Sequence, residues 1–225
     1  MTKLRRAPAR PSDTPVRQGV FRFGTGTKTA YVGGSVNSQP PPSSRGSVGV
    51  VFLRFMVRNL MSCVPGQKAE WRHRISDYLK KVGNPECIDE LLSFCTTQGG
   101  PDGLDMAIDI LSKTENIVVE YAWDYLCRDI AKWTPDSDRA YNPNDDHWYI
   151  LLRAVGRTNV DAKARFDFIK CCANAESRGI REGVVEGLSD LGTPKAKELL
   201  KTLAKHDSDE YIRKIAGEAL ADLES

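Results

Sequence analysis

The strongest constraint on this 225-residue chain is an internal repeat. Residues 177–191 read SRGIREGVVEGLSDL, and residues 209–223 read DEYIRKIAGEALADL. At this offset of 32 residues Ile180 matches Ile212, Arg181 matches Arg213, Glu186 matches Glu218, Leu188 matches Leu220, Asp190 matches Asp222 and Leu191 matches Leu223. The six identities in fifteen positions keep phase with one helical face. A further short helix, residues 194–205, fits between the copies, so the unit is helix–turn–helix. One such unit cannot bury its own apolar face, and stable arrangements stack several.

The same period runs through most of the chain. From Gln67 onward apolar residues recur at helical spacing with no strand-like alternation. Trp71, Ile75, Tyr78, Leu79 and Val82 mark a first helical face, and Ile88, Leu91, Leu92 and Cys95 a second. Comparable faces continue to Ile212, Ala216, Leu220 and Leu223, giving about nine helices of roughly 12–16 residues. Asn84-Pro85 and Thr193-Pro194 read as N-caps with Pro at the first helical position. Ser208, followed by Asp209 and Glu210, reads as the cap of the last helix. Gly83, Gly99-Gly100, Gly156 and Gly192 read as helix stops. Gly183, Gly187, Gly217 and Ala219 are small enough to let neighbouring helices approach closely. Short loops make successive helices antiparallel neighbours, whereas residues 134–144 form a longer polar loop.

The amino-terminal part has a different composition. Residues 1–60 carry ten basic residues against the single acid Asp13, a net +9, whereas residues 61–225 carry 22 basic against 29 acidic, a net −7. Residues 1–47 are rich in Pro, Gly, Ser and Arg, with too few apolar positions to offset the entropy of ordering. We therefore expect residues 1–60 to be a largely disordered leader and residues 61–225 to be the helical domain. Three explanations of the leader stay open: a basic arm for an anionic surface, an organelle transit peptide, or translation that begins at Met56 or Met61.

Chemistry is sparse. No run reaches the roughly 18 apolar residues of a membrane span; the longest, residues 48–57, is interrupted by Arg54. The six cysteines form no C-x-x-C pair and have no histidine at a zinc-ligand spacing, so we expect a reduced, cytoplasmic protein with no metal and no cofactor. No G-x-x-x-x-G-K-[ST] loop and no G-x-S-x-G elbow occurs, and the Gly24-Thr25-Gly26 stretch has the wrong spacing for phosphate. His147 beside Asp145 and Asp146 reads as a helix start with acids at its dipole.

The Ile-Arg start of the repeated helix, its Glu-x-Leu-x-Asp-Leu end and the Thr193-Pro194 helix start resemble the HEAT family, in particular its short PBS-lyase HEAT-like repeats of about thirty residues. The resemblance is clearest over residues 177–224 and weakens over 145–175, where Trp148-Tyr149 replaces Ile-Arg. It implies an all-α fold, a right-handed α-solenoid of antiparallel helix pairs whose second helices line a concave, partner-binding side. On that side Arg178, Arg181, Glu182, Arg213 and Lys214 are the candidate partner-binding residues. For Arg181, Arg213, Asp190 and Asp222 the competing role is a charge ladder between repeats. The function expected is non-catalytic: a scaffold that binds a protein partner, not nucleic acid or membrane. The alternatives are a chromophore-lyase relative or a HEAT-like DNA alkylation-repair glycosylase. The latter is suggested by Trp123-Asp124 with Trp133 and Trp148, but needs a basic cleft that a net charge of −7 opposes.

Overall fold

The structure is a computed structural model that describes residues 48–98, 100–130 and 144–225. All of these belong to one compact unit, Ser43–Ser225. The leader before residue 48, with its Gly24-Thr25-Gly26 stretch, lies outside the described residues, as do Trp133 and most of the 134–144 loop.

Among the described residues there are ten α-helices and no strand. They are α1 (Val48–Ser62), α2 (Lys68–Val82), α3 (Pro85–Gln98), α4 (Gly100–Ser112), α5 (Asn116–Ile130), α6 (Asn144–Arg157), α7 (Ala162–Cys171), α8 (Arg178–Leu191), α9 (Pro194–His206) and α10 (Glu210–Glu224). A short 3-10 turn, Pro65–Gln67, links α1 to α2. Each odd-numbered helix packs on the even-numbered helix that follows it. The even helices also pack on one another in order, α2 on α4, α4 on α6, α6 on α8 and α8 on α10. The result is five helix pairs in two layers, with the apolar core between them, as a stack of helix–turn–helix units requires.

The expected faces meet in that core. Ile75, Leu79, Ile88, Leu91, Leu92 and Cys95 are buried, as are Trp148, Leu151, Leu152, Val155, Ile180, Val184, Leu188 and Ile212. Leu220 is only half buried, because α10 has no described helix beyond it. The capping chemistry also holds at several sites. The Glu86 N–H donates to Asn84 Oδ1 at 2.9 Å, and the Ala196 N–H donates to Thr193 Oγ1 at 3.3 Å. Gly83 and Gly192 end α2 and α8 in the left-handed region, at φ 56° and 62°, where a side chain would be strained.

Three expectations need correction. First, the fold begins before residue 61. Val50, Leu53, Met56, Val57 and Leu60 of α1 are all buried in the core against α2 and α3. Residues 48–60 carry only Arg54 and Arg58 as charges because α1 is apolar on two sides, and not because the fold stops there. A chain starting at Met56 or Met61 would lack the helix turns that supply Val50 and Leu53. Second, Asp209, not Ser208, caps α10; its side chain accepts from the Tyr211 N–H at 2.8 Å. Third, Gly156 does not stop a helix. It lies inside α6, where a Cβ would collide with the Gly187 carbonyl of α8. Gly183 and Gly187 share that tight seam, Gly187 facing the Leu152 carbonyl oxygen at 2.7 Å from a built Cβ. Gly217, by contrast, meets nothing within 4 Å.

Candidate functional site

The five candidate residues separate into structural and exposed groups once α8 and α10 are side by side. Arg181 is a structural residue, only 9 % exposed. Its Nη1 donates to the carbonyls of Ala175 and Glu176, both at 2.8 Å, and its Nε donates to Asp207 Oδ2 at 3.1 Å. The Asp207 carboxylate is itself 5 % exposed, and its Oδ1 accepts from the Asp209 N–H at 2.9 Å. At the matched position 32 residues on, Arg213 Nη1 donates to the Asp207 carbonyl at 2.7 Å. Both arginines thus reach back six residues to the turn that feeds their own helix, and Arg181 also ties its repeat to the next one. Arg181 is therefore withdrawn from the set available to a partner, and Arg213 is half buried in the same turn.

Arg178, Glu182 and Lys214 stay at the surface. The Arg178 guanidinium lies over the Tyr211 ring at 5.4 Å, and the Tyr211 hydroxyl donates to Glu182 Oε1 at 3.1 Å. Lys214 pairs along its own helix with Glu218 at 3.7 Å. The adjoining helix α6 repeats the aromatic–arginine theme. Arg153 lies over the Tyr149 ring at 5.7 Å, donates to its hydroxyl at 3.2 Å, and pairs with Asp190 at 3.0 Å and Glu186 at 3.6 Å. Arg157 takes the other Asp190 oxygen at 2.9 Å. Across α6, α8 and α10 the even-helix layer therefore presents two Tyr–Arg stacks flanking Glu182 and Glu186.

The electrostatics join these groups into one patch. Burial, with Glu186 and Glu182 nearby, holds the Tyr149 hydroxyl above its ordinary pKa against the opposing pull of Arg153. Burial and Glu182 do the same for Tyr211, against Arg178. Burial works against the Arg153 charge, but the hydrogen bond and charge of Asp190, with Tyr149 and Glu186, together outweigh it, and its pKa is raised. The ladder role holds for Asp190, which bridges to two arginines of α6, whereas Asp222 at the matched position is exposed. Tyr149, Arg153, Glu186 and Tyr211 were not among the candidate partner-binding residues read from sequence. Tyr149 was legible only as a departure from the Ile-Arg pattern, and its role depends on α8 lying beside it.

The other sequence candidates do not converge. Asp145 accepts from Ser177 Oγ at 2.6 Å, at the start of α8. His147 instead has its ring nitrogens 3.4 Å from Thr96 Oγ1 and 3.3 Å from the Tyr125 hydroxyl, on α3 and α5. Trp123 packs edge-on against Phe168 at 5.2 Å, Trp148 is buried, and Asp124 is exposed, so these three do not line one cleft. Burial raises the thiols of Cys95 and Cys172 to about 12, which suits small apolar residues better than nucleophiles. Among the described residues no three His, Cys, Asp or Glu side chains cluster as metal ligands, and no helix is long and apolar enough to cross a membrane. A cleft of about 560 Å³ opens beside the turns before α8 and α10, but its Arg181 and Asp207 are bonded to each other.

Residues 137–221, which include α6 to α9 and most of α10, match the family model for HEAT repeats. HEAT repeats are commonly protein-interaction scaffolds. No curated protein shows significant similarity to the chain.

Proposed function

We propose that the HEAT repeats of residues 137–221 make this chain a non-catalytic interaction module, which holds a protein partner on the exposed face of α6, α8 and α10. The observation that carries this reading is the pair of Tyr–Arg stacks, Tyr149 with the mostly buried Arg153 and Tyr211 with the exposed Arg178, around Glu182 and Glu186. Tyr and Arg are enriched among the residues that dominate binding energy, because they offer large, rigid contact area with a polar tip. Here their geometry is held in advance by packing and hydrogen bonds, so little side-chain entropy is lost on binding. The patch mixes charges, and the helical unit from residue 48 onward carries 24 basic against 29 acidic residues. That balance suits a protein surface of mixed charge and opposes a phosphate backbone, which selects basic faces. The module belongs to residues 48–225, and the Arg181–Asp207 pair supports the site without touching the partner.

The test is affinity capture from the native cell with the full chain, followed by mass spectrometry. A reproducible stoichiometric protein is expected, and its recovery should fall at least about tenfold with Tyr149→Ala and Tyr211→Ala together. Recovery of nucleic acid alone, or of a partner indifferent to both substitutions, would overturn the reading.

A further inference from the structure

The outer face of the first helix pair is apolar. Besides its buried face, α1 carries a second stripe at spacing three, one, three: Val48, Val51, Phe52 and Phe55, exposed by 88, 59, 47 and 58 %. Helix α2 extends it. Tyr78 meets the Phe52 ring edge-on at 5.1 Å, and Val82, one turn further on, is 40 % exposed. This stripe points away from the rest of the stack. Ser76 donates to the Ile110 carbonyl of α4, and Tyr78 lies two residues on, about 200° around the helix. Arg54 is turned aside onto Glu90 of α3 in a two-bond pair at 2.6 and 2.9 Å, whereas the exposed Arg58, one turn past Phe55, and Lys81, one turn past Tyr78, border the stripe.

The last described pair is built differently. Glu198 and Lys201 on α9 and Lys214, Glu218 and Asp222 on α10 are exposed and polar. A solenoid stays soluble when its outer repeats show polar faces. The α9–α10 pair meets that requirement and the α1–α2 pair does not. A helix that is apolar on two faces is normally buried on both.

We propose that a second copy of this chain covers the stripe, with α1 packed against the other α1 about a two-fold axis. Two observations favour a second copy over other occupants. An apolar stripe is complementary to itself, as an isologous interface must be. Its five named exposed side chains leave on the order of 500 Å² open, so pairing removes about 1,000 Å², the size at which a specific interface begins. This interface lies on a different helix pair from the proposed partner face, so both can be occupied at once.

The experiment is sedimentation velocity of the full 25.0 kDa chain over a concentration series reaching about 100 µM. The expected result is a concentration-dependent shift from monomer to dimer. Phe52→Glu with Phe55→Glu should raise the dissociation constant at least about tenfold while leaving the far-UV circular dichroism unchanged. Phe52 touches Tyr78, so Val51→Glu, which lies further from the core, provides an independent variant with the same expected direction. A wild-type monomer at every concentration would overturn the proposal. So would a dimer that survives both variants. A third overturning result is a wild-type chain that stays monomeric but floats with anionic vesicles, or captures another protein, through this stripe.

Discussion

The two copies of the internal repeat share six residues in fifteen, yet almost every shared residue does different work in each. In the inner copy, α7–α8, Leu188 is fully buried, Arg181 is bonded on three sides and Asp190 is clamped by Arg153 and Arg157. In the outer copy, α9–α10, Leu220 is half buried, the Arg213 guanidinium donates to the Asp207 carbonyl, and Asp222 faces solvent. The difference comes from neighbours. Helix α8 is gripped by α6 on one side and α10 on the other, whereas the main neighbours of α10 among the described residues are α8 and α9. A repeated residue therefore specifies where the chain turns and which way a face points; the adjacent repeat decides how much free energy that residue supplies.

The inner-copy advantage breaks most severely at its buried ion pair. Asp207→Ala leaves the Arg181 charge buried without its carboxylate, and stability should fall by roughly 3–5 kcal/mol in urea denaturation. Arg213→Ala removes one hydrogen bond at a half-exposed site and should cost about 1 kcal/mol. Equal losses would mean that the two arginines are equivalent after all.

Next come the leucines. Leu188→Ala should cost roughly 2–5 kcal/mol by opening a cavity. Leu220→Ala, half exposed already, should cost about half as much or less. The comparison is a denaturation midpoint at constant slope.

Alkali sharpens the same contrast, because the inner copy holds Cys172 where the outer copy holds Ala204. Burial raises the Cys172 pKa from 9.0 to about 12. A thiol that titrates higher folded than unfolded contributes stability in full below pH 9, and that contribution disappears between pH 9 and about 12. Cys95 adds a second group of the same kind. Stability should therefore decline over this window, and Cys172→Ala should flatten the decline in part.

The aspartates give a smaller effect. Asp190→Asn should cost roughly 1–3 kcal/mol, since it weakens charge-assisted bonds to two arginines. Asp222→Asn should change stability by less than about 0.5 kcal/mol.

These contrasts also explain what was legible in the sequence. The all-helical fold was legible because Ile180, Val184, Leu188 and Leu191 recur at helical spacing and repeat 32 residues later. Helix α1 was not, because beside one stripe at Val50, Leu53, Val57 and Leu60 and another at Val48, Val51, Phe52 and Phe55 it has few polar positions, Arg54, Arg58 and Ser62, to reveal its period. The charge steps near residue 60 then drew the boundary too late. The candidate surface was legible in part. Arg178, Glu182 and Lys214 sit on the exposed side that the repeat register indicates. Arg181 could not be separated from them by sequence, since its carboxylate partner comes from the turn of the following repeat. Tyr149 and Arg153 join the surface only because α6 lies against α8, a contact set by glycines.

Those glycines allow the most direct measurement of whether the neighbour, rather than the residue, decides. Gly187→Ala and Gly217→Ala place the same methyl group in the middle of two second-layer helices. At Gly187 it would stand 2.7 Å from the Leu152 carbonyl oxygen and force α6 and α8 apart; at Gly217 it would meet nothing within 4 Å. Overpacking should make Gly187→Ala less stable by roughly 1–3 kcal/mol, whereas helix propensity should make Gly217→Ala more stable by up to about 1 kcal/mol. Opposite signs in urea denaturation are the predicted result, and changes of the same sign would contradict it.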